Sequence, residues 1–210
     1  MKKKYNQFEF DKYEKLAKEK LYGLRQNEIK DQKLPLYLIK PYSDYKKMLK
    51  KKKSNHGMAL EIGAGTGNFT NLILKTNMNI IATDISPTSL KFLMHRYEGY
   101  KNLRTKIANM EDLPFKDNTF DIVCGVGFLS YGENMKTQKE IYRVLKKGGH
   151  FICVDSLNNN IIYMINRVMK YLNKKTSLST IKKMPTKQLI QNYIENFSKV
   201  EIKYYGSIIW

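Results

Sequence analysis

The sequence predicts an α/β protein in which a parallel sheet is wound with helices on both faces. The apolar run at residues 58–60 ends in Glu61 and a glycine-rich turn, and apolar residues then recur at helical spacing from Phe69. A second short apolar run, residues 79–84, ends in another carboxylate. Strand-like runs keep alternating with helical stripes as far as residue 156. This alternation is typical of a parallel sheet that binds ligands at its carboxyl edge.

The elements can be placed in order along the chain. Residues 1–35 are charged with scattered Leu and Tyr, which predicts one helix that covers a ligand cleft, and a second helix begins near Pro41. Ser86 and Pro87 are typical of a helix N-cap and first turn, and Gly99 ends that helix. The later predictions are strands at 103–110, 120–127 and 150–155, a helix at 135–145, and two amphipathic helices with apolar positions Ile161, Ile165, Val168 and Leu172, and Leu189, Ile190, Tyr193, Ile194 and Phe197.

The last part of the chain departs from this alternation. Residues 173–184 are polar and basic, and we expect them to be mobile. Residues 200–205 alternate like a strand, and only Ile208 to Trp210 remain to begin another. We therefore expect one globular domain with a helical cap at 1–55, a core at 56–156, and acceptor-side helices with a shortened terminal strand at 157–210.

The glycine-rich turn differs from a dinucleotide-binding turn. Its third glycine, Gly67, comes one residue early, and Asn68 occupies the position where the dinucleotide fingerprint needs glycine. A pyrophosphate beside Glu61 would be repelled, whereas a ligand that carries an ammonium and a sulfonium would be attracted. S-adenosylmethionine is such a ligand. Asp84 ends the next strand and suits an acid that accepts the two ribose hydroxyls, although alone it would equally fit a turn acid before Ser86.

Further motifs follow in order. Residues 109–115 and 118–123 look like the third-strand exit and fourth strand of the class I S-adenosylmethionine-dependent methyltransferases, and residues 140–149 are similar to their helix and glycine turn before strand five. The resemblance covers residues 58–156. It implies a Rossmann-like, seven-stranded methyltransferase sheet of order 3-2-1-4-5-7-6, with S-adenosyl-L-methionine as cofactor and S-adenosyl-L-homocysteine as product. The cofactor-binding residues that it implies are Glu61, Gly63, Ala64, Gly65, Gly67, Asp84, Ile85, Asn109, Met110, Gly125 and Val126.

Two of these residues have alternatives. Many relatives place an aspartate where this chain has Asn109, but the side-chain carbonyl of asparagine still accepts a hydrogen bond from the adenine amino group. Ile85 follows the ribose acid and is expected to give adenine an apolar face. Ordinary core packing explains an isoleucine there equally well.

The chemistry follows from the sulfonium, which makes the methyl group electrophilic. In-line displacement then needs chiefly a well-placed nucleophile. A hydroxyl acceptor would also benefit from a general base on the loops after strands four and five. Tyr131 and Asp155 are the candidates for catalytic residues, against the alternatives that Tyr131 packs in the core and Asp155 caps a turn.

The acceptor is predicted from a looser resemblance. Residues 158–186 look like the tail of small methyltransferases from bacterial surface-polysaccharide pathways. This implies O-methylation of a small-molecule acceptor such as a sugar, a nucleotide sugar or an anionic glycan precursor, with Lys170, Lys174 and Lys175 meeting its phosphate. Two alternatives stay open: an RNA methyltransferase, and a protein that binds the cofactor for interaction without catalysis.

Composition restricts the possible partners, metal sites and cellular compartment. The net charge is +19, but only five of the 38 basic residues are arginine, the side chain best suited to phosphate and base recognition, which argues against a nucleic-acid partner. Cys124 and Cys153 lie in apolar runs without metal-ligand spacing, so we predict no metal site and a reducing compartment. No signal-like core or run of ~18 apolar residues occurs, and we expect a cytoplasmic protein without a membrane span. The oligomeric state is left open.

Overall fold

The computed structural model describes residues 7–25, 36–53, 56–158 and 161–205. Its helices are α1 (Gln7–Arg25), α2 (Leu36–Lys52), α3 (Thr70–Leu74), α4 (Pro87–Arg96), α5 (Asn134–Val144), α6 (Ile161–Leu172), α7 (Leu178–Lys182) and α8 (Lys187–Ile194). Its strands are β1 (Met58–Ile62), β2 (Asn79–Asp84), β3 (Leu103–Ile107), β4 (Phe120–Val126) and β5 (Leu145–Val154).

The five strands form one parallel sheet in the order β3-β2-β1-β4-β5. At the carboxyl end of β1, Ile62 pairs with Thr83 of β2 on one side and with Gly125 of β4 on the other. Strand order reverses between β1 and β4, which is where an open α/β sheet forms its ligand crevice. The order of the first five predicted strands is therefore confirmed. Within the described part of the chain, the structure has no sixth or seventh strand.

Both faces of the sheet are buried, which explains why its strands are almost continuously apolar. Successive residues point to opposite faces, so Ala59 and Leu60 of β1 belong to different apolar clusters. One cluster contains Leu49 of α2 together with residues of α3 and α4. The other contains Ile141 of α5 and Tyr193 of α8. Helices α2 to α5 and α8 thus cover the sheet from both sides.

Several predicted boundaries were wrong. Pro41 lies inside α2 rather than near its start. Strand β5 begins at Leu145, five residues before the predicted start, because α5 passes into it without a loop. Part of the segment expected to be mobile forms α7, since the Ser177 hydroxyl accepts a hydrogen bond from Thr180 N at 3.1 Å and caps that helix.

The segment at 200–205 forms no strand, contrary to the prediction. Its alternating side chains Val200, Ile202 and Tyr204 are exposed, because none of the five strands of the sheet pairs with this segment. Tyr205 instead donates a hydrogen bond to Asp44 Oδ2 of α2 at 2.7 Å. The expected start of a last strand at 208–210 lies outside the described residues.

One buried carboxylate of helix α1 binds the chain at the start of α7. Glu9 is 3% exposed. Its Oε1 accepts hydrogen bonds from Thr176 Oγ1 at 3.0 Å, Ser177 N at 3.0 Å and Thr180 Oγ1 at 2.9 Å. Its Oε2 accepts one from Lys12 Nζ at 3.0 Å. Burial acts to raise the pKa of Glu9, but the bonds from Lys12 and Ser177 outweigh it and hold the pKa below its usual value.

We expect Glu9→Gln to lower the free energy of unfolding at neutral pH by about 1–3 kcal/mol, because an amide cannot accept all four hydrogen bonds. A carboxyl with a lowered folded pKa stabilises the protein above its unfolded pKa, and the contribution is lost as pH falls through the folded pKa. The stability difference between wild type and variant should therefore shrink in acid. Urea unfolding at pH 7 and at about pH 3 measures it.

Glu19→Gln is the matched control, since Glu19 is an exposed carboxylate on the same helix. It should change stability little at either pH. If Glu9→Gln and Glu19→Gln unfold alike at pH 7, the Glu9 cluster does not hold α1 in place.

Candidate functional site

The glycine-rich turn adopts the backbone that its composition predicts. Gly63, Gly65 and Gly67 have φ angles of 65°, 53° and 79°, in the left-handed region that favours glycine. The turn is held to the neighbouring strand because Ala64 N donates to Thr83 O at 2.9 Å and Gly65 N donates to the side chain of Asp84 at 2.8 Å. Backbone is thereby presented at the crevice without side chains in the way.

Asp84 ends β2 and orients the turn. Its Oδ2 accepts the bond from Gly65 N, and its Oδ1 accepts one from Ser86 N at 2.9 Å. A carboxylate offers about four lone-pair sites, so Asp84 keeps acceptor capacity for a further donor such as a ribose hydroxyl. Burial raises the pKa of Asp84; the backbone N–H groups act to lower it, and the charge of Glu14 adds to the rise. The residue fits the role of ribose acceptor.

Glu61 lies inside β1 and is 3% exposed. Its Oε2 accepts a hydrogen bond from Thr70 Oγ1, the first residue of α3, at 2.7 Å. Burial raises the pKa of Glu61 to about 7; the Thr70 bond acts to lower it, and the charge of Asp84 raises it further. A cation bound nearby would favour the ionised form. Direct pairing of this buried carboxylate with the ligand ammonium stays a prediction.

The residues expected at the adenine lie beside Asp84. Ile85 is half-buried and belongs to neither apolar cluster, which favours its role as a ligand-facing side chain over core packing. Asn109 Oδ1 accepts a hydrogen bond from Glu111 N at 3.0 Å, which fixes the side chain and leaves one lone pair. Met110 packs partly against the second cluster.

Gly125 and Val126 at the end of β4 have structural roles of their own. A Cβ on Gly125 would lie 2.6 Å from Ile62 O and 2.8 Å from the Phe128 ring, so only glycine fits there. Val126 packs against the first apolar cluster. Contact of Gly125 and Val126 with the cofactor stays a prediction.

Helix α1 crosses the crevice above these residues. Glu14 accepts hydrogen bonds from the hydroxyls of Ser86 and Thr88 at the start of α4. Nearly two helical turns further on, Lys20 Nζ donates to Thr66 Oγ1 in the glycine-rich turn at 3.0 Å. The helix therefore touches both chain segments that form the expected cofactor cleft.

The two catalytic candidates lie near each other, and Tyr131 meets Tyr13 of α1. Asp155 accepts hydrogen bonds from Leu129 N at 2.9 Å and Ser156 N at 2.7 Å. Burial raises its pKa to about 6, against the lowering effect of those N–H groups and of Arg167. The Tyr131 hydroxyl lies 2.8 Å from that of Tyr13. Burial raises the pKa of Tyr131, and the nearby charge of Asp155 adds to the rise.

The sequence did not reveal the contributions of Tyr13, Glu14 and Arg167. Arg167 of α6 is half-buried, and its charge acts to lower the pKa values of Tyr13, Tyr131 and Asp155. These contacts join residues far apart in the chain, and no local spacing signals them. Of the expected site residues, the structure gathers Glu61, Gly63, Ala64, Gly65, Gly67, Asp84 and Ile85 at the carboxyl ends of β1 and β2, and Tyr131 and Asp155 beyond β4 and β5.

Two other features lie apart from this site. A cavity of ≈ 710 Å³ is lined by residues of α5 and α8 together with Asp117 and Asn118 before β4, at the opposite edge of the sheet, and it contains none of the predicted site residues. Within the ranges that the structure describes, no cluster of His, Cys, Asp and Glu side chains is placed to hold a metal ion.

Known proteins share this arrangement. A family described as a methyltransferase domain matches residues 60–153. A demethylmenaquinone methyltransferase of Symbiobacterium thermophilum is 38% identical over 104 residues, 46% of this chain and 41% of the relative. The ubiquinone/menaquinone biosynthesis C-methyltransferase UbiE of Zymomonas mobilis is 32% identical over 115 residues, 53% of this chain and 47% of the relative.

A solved structure has the same fold at much lower identity. The geranyl diphosphate C-methyltransferase of Streptomyces coelicolor A3(2), complexed with S-adenosyl-L-homocysteine, is 13% identical with a TM-score of 0.58, over 72% of this chain and 56% of that one. The chain spans less than half the length of the two sequence relatives.

The matched segment begins in β1, ends in β5 and contains the glycine-rich turn and Asp84. It also forms the parallel sheet and the cleft that the sequence motifs predicted. Residues 60–153 therefore match a methyltransferase domain, and this match supports S-adenosylmethionine as the cofactor.

Proposed function

We propose that this protein transfers a methyl group from S-adenosylmethionine to a small-molecule acceptor bound between α1, the loop after β4, and the end of β5. The observation that carries the proposal is the group formed by Tyr13, Tyr131, Asp155 and Arg167. Helix α1 brings this group next to the cofactor cleft, because its Tyr13 meets Tyr131 while its Glu14 meets Ser86.

The residues of the cleft fit the cofactor. Asp84 keeps acceptor capacity for a ribose hydroxyl, and Ile85 and Asn109 suit the adenine. The bound cofactor supplies an electrophilic methyl group on a sulfonium. The cleft around Glu61 and Asp84 is electrostatically suited to this cation and unsuited to a pyrophosphate.

Asp155 is the better of the two candidates for general base. With a pKa of about 6 it is ionised at neutral pH and still basic enough to take a proton from an acidic hydroxyl. Tyr131 has a raised pKa, so its phenolate is scarce at neutral pH. We assign Tyr131, with Tyr13, to positioning the acceptor by hydrogen bonding.

For the acceptor we favour a quinol-type ring over the glycan that the tail resemblance implied. The matched relatives carry the names of demethylmenaquinone and quinone-pathway methyltransferases. Loss of a hydroxyl proton to Asp155 makes an adjacent ring carbon nucleophilic. That carbon would take the methyl group from the sulfonium, which would leave as a neutral thioether, and loss of the hydrogen on that carbon as a proton would restore the aromatic ring.

An anionic glycan is the second candidate, and one observation supports it. Residues 156–194 contain seven basic residues and no acidic one, which suits a phosphate-bearing acceptor. Its methylation would occur on oxygen rather than carbon.

Product mass analysis separates the candidates. Purified protein is incubated with S-adenosylmethionine and either a short-chain demethylated naphthoquinol or a nucleotide sugar. We expect a methyl-sized mass gain on the naphthoquinol. Gain only on the nucleotide sugar would replace the quinol by the glycan. Methylation only of added RNA, or tight cofactor binding with no transfer to any acceptor, would contradict the proposed function.

Asp84→Ala should weaken binding of S-adenosylmethionine about 10- to 100-fold, because two hydrogen bonds to a charged acceptor are lost. Isothermal calorimetry measures the dissociation constant. Asp112→Ala removes an exposed carboxylate from the turn after β3 and is the matched control. Unchanged affinity in a folded Asp84→Ala protein would remove Asp84 from the site.

Asp155→Asn should lower turnover by about 100-fold or more while cofactor affinity is kept, as is typical when a general base is removed. Wild-type turnover should fall as pH drops through about 6, because protonated Asp155 cannot accept a proton. Since Glu61 has a pKa of about 7, cofactor is kept saturating at every pH. Tyr131→Phe is the comparison, with a smaller loss and the same acid limb. An unaltered pH profile in Asp155→Asn would assign the limb to another group.

A further inference from the structure

Helix α6 presents an apolar stripe to solvent. Ile165, Val168, Met169 and Leu172 follow one another at helical spacing and are 57%, 44%, 53% and 67% exposed. A shallow apolar cavity of ≈ 290 Å³ opens on the same side of the helix, lined by Met164 and three of these residues together with Asn158. An amphipathic helix of a globular protein ordinarily turns such a stripe to the core. Within the described ranges, nothing covers this one.

The other side of α6 meets the protein body. Arg167 is half-buried and acts on Tyr13, Tyr131 and Asp155. The helix thus has a polar side at the proposed acceptor group and an apolar side facing outward. Contiguous exposed apolar surface of this kind marks an interaction site.

The charge around the stripe indicates its partner. From residue 156 to residue 194 the chain carries Arg167 and six lysines and no Asp or Glu. Lys170, Lys174, Lys175 and Lys182 are exposed. An apolar stripe in a purely cationic setting matches a surface that is apolar inside and anionic outside, and its lysines would repel a second copy of the same face.

We propose that the outward face of α6 docks on an anionic lipid bilayer together with Lys170, Lys174, Lys175 and Lys182, which lie at its end and in the chain that follows. Ile165, Val168, Met169 and Leu172 enter the boundary between headgroups and acyl chains, and the lysines stay at the phosphates. The protein lies on the membrane, since none of its described helices is both long and apolar enough to cross one. This docking surface does not depend on the identity of the methyl acceptor.

Vesicle flotation tests the proposal with the full chain and no cofactor. Vesicles are either phosphatidylglycerol with phosphatidylcholine or phosphatidylcholine alone. We expect binding to the anionic vesicles only, weakened by salt as the surface charge is screened. The double variant Ile165→Asn/Leu172→Asn should reduce partitioning at least about tenfold, because two apolar side chains no longer enter the bilayer. Ile107→Asn/Met135→Asn removes two comparably exposed apolar side chains elsewhere and should bind like wild type.

The charge contribution has its own matched pair. Lys174→Gln/Lys175→Gln/Lys182→Gln should weaken binding to anionic vesicles strongly. Lys50→Gln/Lys51→Gln/Lys53→Gln removes the same charge from exposed positions at the end of α2 and should have little effect. Thermal unfolding confirms that each variant is folded.

Three results would overturn the proposal. The first is the absence of binding to phosphatidylglycerol vesicles at low salt. The second is an equal loss in both lysine variants, which would reduce the attraction to net charge alone. The third is a change of partner. Light scattering could show a dimer that Ile165→Asn/Leu172→Asn abolishes, or the protein could bind RNA and not vesicles at about 0.15 M salt. Either result would assign the face to a different partner.

Discussion

Two carboxylates held at one poorly solvated sheet edge are the electrostatic constraint on which the proposed cofactor site depends. Parallel pairing of β1 and β2 brings Glu61 and Asp84 to the same end of neighbouring strands. Burial raises the pKa of both, and the charge of Asp84 raises that of Glu61 further. A pyrophosphate would add a third anion, whereas a ligand with a sulfonium and an ammonium offsets the repulsion. The glycine-rich turn lets the backbone approach the ligand closely, and the two acids favour a cationic ligand over an anionic one.

Helix α1 makes the cofactor cleft and the acceptor group into one site. Its Glu9 holds the chain that follows α6, its Tyr13 meets Tyr131, and its Glu14 meets the start of α4. Burial raises the pKa values of Tyr131 and Asp155 in the proposed acceptor group.

Elements fixed by neighbouring residues could be predicted from the sequence. The boundaries of β2 were exact because an apolar run ends in Asp84, and Ser86 caps α4 through Ser89 N at 3.0 Å. The start of β5 and the fate of residues 200–205 could not be predicted, since each depends on whether a neighbouring strand is present to pair with. The contacts of α1 could not be predicted either, since their partners lie at least 46 positions away, as in the bond from Lys20 to Thr66.

Periodicity identified α6 as amphipathic but could not tell which way its apolar side faces. The direction depends on the rest of the fold. Helices α2, α3 and α4 already cover one face of the five-stranded sheet, and α5 and α8 cover the other. No open face of the sheet is left for the stripe that contains Ile165 and Leu172. The charge of Arg167 acts on Asp155 and on the two tyrosines, while the apolar stripe of the same helix is exposed. An acid-free stretch of chain around that side then makes anionic lipid a better match than neutral surface or another basic protein.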